Sequence, residues 1–313
     1  MDQIEIASPK FSDPQVTADG SQRATVPFLK LDTLWFNTGT LCNLACVNCY
    51  IESSPRNDRL AYITRAEVRR FLDEAASLPQ PPVEIGFTGG EPFMNPDIIG
   101  MVEDSLAAGF RVLILTNAMK PMHHVKAALE DLQTRFPGQM SLRVSLDGYT
   151  KTMHEELRGP NSWQPTLDGL SWLYANGFDI SLAGRTIWGE DDEETRAGYG
   201  ELLLGLGITL DVENPARLML FPEMDAAGDP PEITEQCWTI LHKSPTEVMC
   251  ANSRMVVKDK GADAPRVVSC TLLPYDADFS MGATLAEAAR PVALNHRFCA
   301  QFCVLGGASC SAG

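Results

Sequence analysis

Three joints in this chain repeat one pattern: Gly109-Phe110-Arg111-Val112, Gly177-Phe178-Asp179-Ile180 and Gly207-Ile208-Thr209-Leu210. In each, a stripe with helical periodicity runs into a glycine, which accepts the left-handed cap of a helix, and then into an apolar run. Helix followed by strand, repeated, requires parallel strands, because parallel neighbours need a helical crossover between them. The candidate strands are Leu34–Asn37, Val83–Thr88, Val112–Thr116, Leu142–Leu146, Ile180–Ala183 and Ile208–Val212. Five apolar stripes lie between them, the first behind a Thr64…Glu67 capping box and the second behind Asn95-Pro96, a cap residue with proline at the first helical position. Six β/α units predict an α/β fold, a partial (β/α)6 TIM-like barrel with a parallel sheet, more than a closed eightfold one.

The polar residues gather where these strands end. The first strand runs into the loop holding Cys42, Cys46 and Cys49, and the second into Thr88-Gly89-Gly90-Glu91. The third meets Thr116-Asn117, the fourth Ser145 and Asp147, the fifth Arg185. Ligands of parallel α/β folds sit at the carboxyl ends of the strands, so these segments are expected around one cavity.

With 313 residues and 44% hydrophobic content the chain can bury a full core. Its formal charge of −16 repels phosphate backbones and anionic lipid, which argues against nucleic acid and membrane surfaces as partners. The first 30 residues, broken by Pro9, Pro14 and Pro27, read as a loosely ordered lead-in without the pattern of a secretory signal. No run approaches the ~18 apolar residues of a membrane span. A cytoplasmic location is expected, and nine cysteines there point to metal or iron–sulfur ligation rather than disulfides. The barrel is expected over residues 31–214. Past Pro215 the rhythm fails, proline and glycine rise, and residues 215–313 are expected to form a small cysteine-rich domain.

Cys42-Asn43-Leu44-Ala45-Cys46-Val47-Asn48-Cys49 has the spacing CxxxCxxC. Three thiolates on one loop can bind three irons of a cubane and leave the fourth open to chelate a small molecule. The alternatives are a zinc site, which favours paired spacings and four ligands, and three unrelated buried cysteines. With Thr88-Gly89-Gly90-Glu91-Pro92, Thr116-Asn117 and Ser145-Leu146-Asp147-Gly148 following in order over roughly residues 31–185, the chain resembles the radical S-adenosylmethionine superfamily. The resemblance implies a [4Fe–4S] cluster on Cys42, Cys46 and Cys49 and S-adenosylmethionine on its open iron. It implies one-electron cleavage of that sulfonium to methionine and a 5′-deoxyadenosyl radical, which abstracts hydrogen from a substrate. Gly89 and Gly90 would bring backbone close to the methionyl amino group, with Glu91 shaping the strand edge. Asn117, Ser145 and Asp147 offer partners for the ribose hydroxyls and the cationic end of the ligand, and Arg158 or Arg185 for its carboxylate. Tyr50 follows the third cysteine as in many members; Asn48 stands where an aromatic residue is frequent, which leaves the adenine contact open.

Cys250, Cys270, Cys299, Cys303 and Cys310 crowd the last 64 residues. Arg254–Lys258 and Arg266–Ser269 read as a hairpin that would bring Cys250 to Cys270, and Cys299 and Cys303 follow on one loop. The arrangement resembles the twitch or SPASM extension of the same superfamily and implies one auxiliary [4Fe–4S] cluster. Cys250, Cys270, Cys299 and Cys303 are the first choice of ligands, Cys310 the competitor, and zinc the alternative metal.

Three functions are compatible with these features. The first is a radical enzyme acting on a small molecule, favoured because the short lead-in leaves no room for a leader-binding domain. The second is a maturase of a peptide or protein substrate that borrows a separate recognition partner. The third is a non-catalytic iron–sulfur or zinc scaffold, which leaves the Gly89–Glu91 and Ser145–Gly148 strand ends without a purpose. Either enzyme needs an electron donor such as flavodoxin or ferredoxin.

Overall fold

The computed structural model describes residues 9–225 and 227–308. Its main feature is a nine-stranded sheet whose central run is parallel. The strands are β1 (Thr25–Val26), β2 (Thr33–Asn37), β3 (Glu84–Thr88), β4 (Arg111–Thr116), β5 (Met140–Ser145), β6 (Asp179–Arg185) and β7 (Leu218–Phe221), then β8 (Ser253–Val257), β9 (Arg266–Val268), β10 (Ser280–Gly282) and β11 (Val292–Ala293). Six of them, β2 to β7, pair in parallel in chain order, with Asn37 opposite Thr88 and Ser145 opposite Ala183. The helices are α1 (Arg65–Ala76), α2 (Ile98–Ala107), α3 (Lys120–His123), α4 (Lys126–Arg135), α5 (Lys151–Arg158), α6 (Trp163–Ala175), α7 (Asp192–Gly205) and α8 (Glu235–Ile240). The result is an α/β partial barrel, and none of these helices is long and apolar enough to cross a membrane.

Local signals account for most of this. Thr64 and Glu67 form the expected capping box at α1, which buries Val68, Phe71, Leu72 and Ala75. Inside the barrel a single glycine makes room for a tryptophan: a Cβ on Gly86 would lie 2.3 Å from the Trp35 ring. At α2 the expected cap moves. Asp97 is the N-cap, and Asn95 instead donates to the carbonyls of Thr38 and Ile63, both at 2.9 Å, joining the β2 and α1 approaches.

Three expectations are corrected. Residues 208–212 are irregular, because Asp211 and Asn214 turn the chain by accepting the amides of Glu213 and Ala216. The sixth parallel strand is β7, which lies past the expected barrel end at residue 214. The sheet does not stop there either: β8 lies parallel to β2 on its open side, and β9 and β10 continue antiparallel, so the cysteine-rich region shares the barrel's sheet. The described part of the lead-in, residues 9–30, is tied down. Arg23, 1% exposed, is held by Glu232 at 2.5 Å, and β1 pairs with β11, which fastens it to the C-terminal region.

Candidate active site

Parallel pairing in register brings the carboxyl ends of β2 to β7 to one rim. The loop after β2 is anchored at that rim: the Cys42 amide donates to Ser54 O at 3.1 Å, and Val47 N to Leu157 O at 2.7 Å. Its Cys42, Cys46 and Cys49 face a cavity also lined by Tyr50, Gly89, Gly90, Asn117, Ser145, Asp147, Arg158 and Arg185. All the cofactor-binding residues expected from the sequence except Glu91 therefore share this one space.

The glycine pair is required by closeness. Gly90 N donates to Gly39 O at 2.8 Å, and a Cβ on Gly90 would stand 2.2 Å from Leu41 O. Gly89 has φ +138°, and a Cβ there would meet Gly39 O at 2.6 Å. Glu91 is buried behind the rim, where it accepts from Thr116 Oγ1 and Asn117 N, both at 2.8 Å, and from Phe93 N at 3.3 Å. It thereby fixes the end of β4 to the end of β3. Burial raises its carboxyl to about 7 against the pull of those three donors.

Both expected arginines are already paired with carboxylates. Arg158 grips Asp147 through Nε at 2.8 Å and Nη2 at 3.1 Å. Arg185 donates to Glu223 at 2.5 Å, and the other oxygen of Glu223 accepts from Asn48 Nδ2 at 2.5 Å. Asn48 has φ +53°, a left-handed conformation that asparagine tolerates far better than a bulky residue. The small polar residue ahead of Cys49 thus lets the loop bend and ties it to the end of β7.

Sequence reasoning missed the apolar wall of Phe221, Pro222, Met224, Leu272 and Phe302, and Ser53, all on the cavity, and Glu223, which holds Arg185 there. Glu223 stands two residues past β7, so correct placement of that strand was the signal that would have found it. Ser53 gave none. Ser53 Oγ and Arg185 Nε are buried at the cavity without a hydrogen-bond partner among the described residues. Buried polar atoms are normally satisfied, so these orphans fit a polar ligand in the cavity.

Burial holds two of the three thiols, Cys42 and Cys46, toward the protonated form. Burial pushes Cys42 up to about 12, with Glu91 and Cys46 adding to the rise and the Leu44 amide and Arg158 opposing it. Cys46 is raised by burial as well, against Arg158. Iron must displace these protons to bind.

A second cysteine cavity lies below the hairpin of β8 and β9. Cys250, Cys270, Cys299 and Cys303 line it, with Leu272, Leu273, Phe279, Val292, Leu294 and Phe298 among its apolar walls. Burial raises the thiols of Cys250, Cys270 and Cys299, and Cys250 and Cys270 each push further on Cys299. Cys310 lies outside the described residues. Among the described residues no three Cys, His, Asp or Glu side chains converge as donors to a single metal ion, at this cavity or at the first. A cubane distributes its thiolates over separate irons and spreads its donors more widely.

A parallel partial barrel with its polar groups and thiols gathered at the strand ends defines an α/β enzyme that works at the mouth of its barrel. Residues 36–199, just over half the chain, match the model of the Radical SAM superfamily, and the chain belongs to that superfamily. It is a radical S-adenosylmethionine enzyme, and membership brings a [4Fe–4S] cluster and S-adenosylmethionine; the scaffold reading falls away. The AdoMet-dependent heme synthase of Methanosarcina barkeri is 31% identical over 142 residues, 45% of this chain and 38% of that protein. The mycofactocin maturase MftC of Mycobacterium tuberculosis is 31% identical over 168 residues, 52% of this chain and 41% of that protein. The GTP 3′,8-cyclase of Crocosphaera subtropica is 28% identical over 179 residues, 54% and 50% of the two chains. The chain thus spans half or less of these relatives. In fold it is similar to Streptococcus suis SuiB bound to S-adenosylmethionine, with a TM-score of 0.58, 12% identity, and 81% of this chain and 63% of that one covered. It is also similar to anSMEcpe with bound AdoMet, at 0.59, 12%, 82% and 79%.

Proposed function

We propose that Cys42, Cys46 and Cys49 carry the cluster, that the same cavity binds S-adenosylmethionine, and that the chain abstracts a hydrogen atom from a small-molecule substrate. The observation that carries this reading is the meeting of the three thiols with Gly89 and Gly90 on one cavity. The cluster and its sulfonium ligand, when bound, supply the 5′-deoxyadenosyl radical. The chain's own residues hold the geometry. Gly89 and Gly90 admit the ligand to the backbone, Asn117, Ser145 and Asp147 face its polar groups, and Tyr50 borders the cluster loop. Arg158 or Arg185 takes the carboxylate by exchanging one carboxylate partner for another. Phe221, Met224, Leu272 and Phe302 exclude water from the reacting centre.

Cys250, Cys270, Cys299 and Cys303 are read as the ligands of one auxiliary [4Fe–4S] cluster in a twitch- or SPASM-like extension over about residues 215–313, beside a barrel over residues 31–214; Cys310 is the competing ligand. A flavodoxin or ferredoxin would supply the electron in a cytoplasmic setting. A peptide substrate is the second reading. It is favoured by an open groove on the outer side of the cluster loop, lined by Ala45, Tyr50, Ser54, Met224 and Phe298, that shares Cys46 and Cys49 with the cavity. It also draws on the maturase among the relatives and on SuiB, one of whose structures holds the precursor peptide SuiA.

Anaerobic reconstitution tests the proposal. About eight irons per chain and dithionite-dependent release of 5′-deoxyadenosine are expected. Replacing Cys42, Cys46 and Cys49 with alanine should halve the iron and abolish the release; release that persists would overturn it.

A further inference from the structure

Arg254 is the second residue of β8 and 1% exposed. Its guanidinium donates to four carbonyl oxygens: Ala288 at 2.9 Å through Nε, Cys250 at 2.6 Å and Ser253 at 2.7 Å through Nη1, and Arg290 at 2.8 Å through Nη2. The ring of Phe28 lies against it at 4.4 Å. No carboxylate among the described residues forms an ion pair with it. Arg23, equally buried, shows the ordinary solution, a direct pairing with Glu232. A buried charge without a counter-ion is costly, and carbonyl dipoles offset only part of that cost.

What lies next to Arg254 is the backbone of Cys250, which lines the second cavity together with Cys270, Cys299 and Cys303. Arg254 Nη1 is fixed to the carbonyl of Cys250 at 2.6 Å, which sets its charge against the backbone of one candidate ligand of that cavity. A cubane held by four thiolates is an anion, and its negative charge grows by one on reduction. A fixed cation held at the backbone of one of the four ligands stabilises the reduced form more than the oxidised one.

We propose that Arg254 is the built-in counter-charge of the C-terminal cysteine centre and raises its reduction potential, an inference that rests on reading Cys250, Cys270, Cys299 and Cys303 as a cluster site. Arg254 is a positioning and tuning residue, outside the reacting atoms. The couple takes up one electron and breaks no bond.

The test uses the full chain with Cys42, Cys46 and Cys49 replaced by alanine, so that only the C-terminal centre is titrated. Its midpoint is followed by electron paramagnetic resonance during reduction with dithionite and mediators. Arg254→Gln should lower the equilibrium constant for reduction at least tenfold, ~59 mV for a one-electron couple. Arg254→Lys, which keeps the charge, should stay within about threefold of the parent. Phe28→Glu sets a carboxylate against the guanidinium while leaving its four carbonyl bonds, and should shift the midpoint downward even if the glutamine variant does not fold. An unchanged midpoint in Arg254→Gln or Phe28→Glu, with the parent's iron content of about four, overturns the proposal. So does a lysine variant that behaves like the glutamine one. A parent that takes up zinc or no metal refutes the cluster reading itself, and the inference with it.

Discussion

Gly90→Ala is the sharpest probe of the rim. The new Cβ would stand 2.2 Å from Leu41 O, 2.6 Å from Leu41 C and 2.8 Å from Thr40 O, and ordinary contact begins at 3.4 Å. The difference, 3.4 − 2.2, requires the two segments to part by about 1.2 Å. The obstacle is backbone directly ahead of Cys42, so no side chain can swing aside, and the displacement passes to the cluster loop. Overpacking of this kind costs about 1–3 kcal/mol of stability. Misplacing a reacting group by ~1 Å lowers turnover about 100-fold. Gly109→Ala separates the two effects. Gly109 has φ +89° with nothing within 4 Å, so its alanine variant strains the backbone by about 1 kcal/mol and leaves the cavity alone. Melting temperature and anaerobic release of 5′-deoxyadenosine, both normalised to bound iron, are the measurements. Gly90→Ala should lose both, and Gly109→Ala only some stability. Release by Gly90→Ala within threefold of the parent, or an equal loss of release by Gly109→Ala, would refute the steric reasoning.

Glu91→Gln puts an amide where three donors converge, so at least one donor faces another, at a cost of about 1–3 kcal/mol in urea unfolding. The folded Glu91 carboxyl sits at about 7 against 4.5 unfolded, so its contribution is present below 4.5 and lost as pH rises through 7. The variant's deficit should therefore be largest near pH 5 and shrink by pH 8; a deficit constant with pH would contradict this. His154 has the opposite sign. It is buried against Trp163, its ring nitrogens have no partner among the described residues, and burial, helped by Arg158, lowers it to about 4 from 6.5. The unfolded chain binds the proton first, so stability present above 6.5 is lost as pH falls toward 4, by ~3 kcal/mol. His154→Phe keeps the ring contact and should flatten the acid limb of stability between pH 8 and 5; an unchanged limb would show that the ring does not cause it. Finally, Cys303→Ala should reduce iron from about eight to about four per chain while Cys310→Ala leaves it unchanged. The reverse pattern would make Cys310 the ligand.

The legible parts of the fold were those written in short stretches. The Thr64–Glu67 box and the glycines at 109 and 177 each specify a local geometry, and β4, β6 and α1 stand where they indicate. The cysteine loop and the Gly89–Gly90 pair were legible for the same reason, because spacing and missing Cβ atoms act within a few residues. What escaped depends on distance. Gly207 carries the same cap signal, yet the strand after it begins only at Leu218, since the polar turn at Asp211–Asn214 intervenes. With that strand misplaced, Glu223 and the Phe221–Met224 wall could not be assigned to the rim. The pairing of β8 with β2 joins residues more than two hundred positions apart, and the apolar pattern of β8 suits a hairpin as well as a parallel edge. The burial of Arg23 and Arg254 likewise depends on the fold that surrounds them and not on their neighbours in sequence.

That late pairing has a mechanical consequence. Because β8 lies on β2, the strand that leads into Cys42 is sandwiched between β3, which ends in the glycine pair, and the hairpin that leads to Cys270. Further contacts reach the loop itself. Tyr275 donates to Ile51 O at 2.8 Å and accepts from Asn57 Nδ2 at 3.3 Å, two and eight residues past Cys49. Ala61 N donates to Lys258 O at 2.8 Å, and Lys258 pairs with the capping Glu67 at 2.6 Å. The segment just after Cys270 therefore braces the segment just after Cys49. Any group that orders the four C-terminal cysteines also stiffens the loop at the barrel mouth, since rigid elements with shared contacts transmit displacement rather than absorb it. Were a metal bound in the C-terminal cavity, its removal should accordingly loosen the first cysteine loop, measured as faster amide exchange over residues 42–57, because both sites stand on one sheet; exchange there that does not change would refute the bracing.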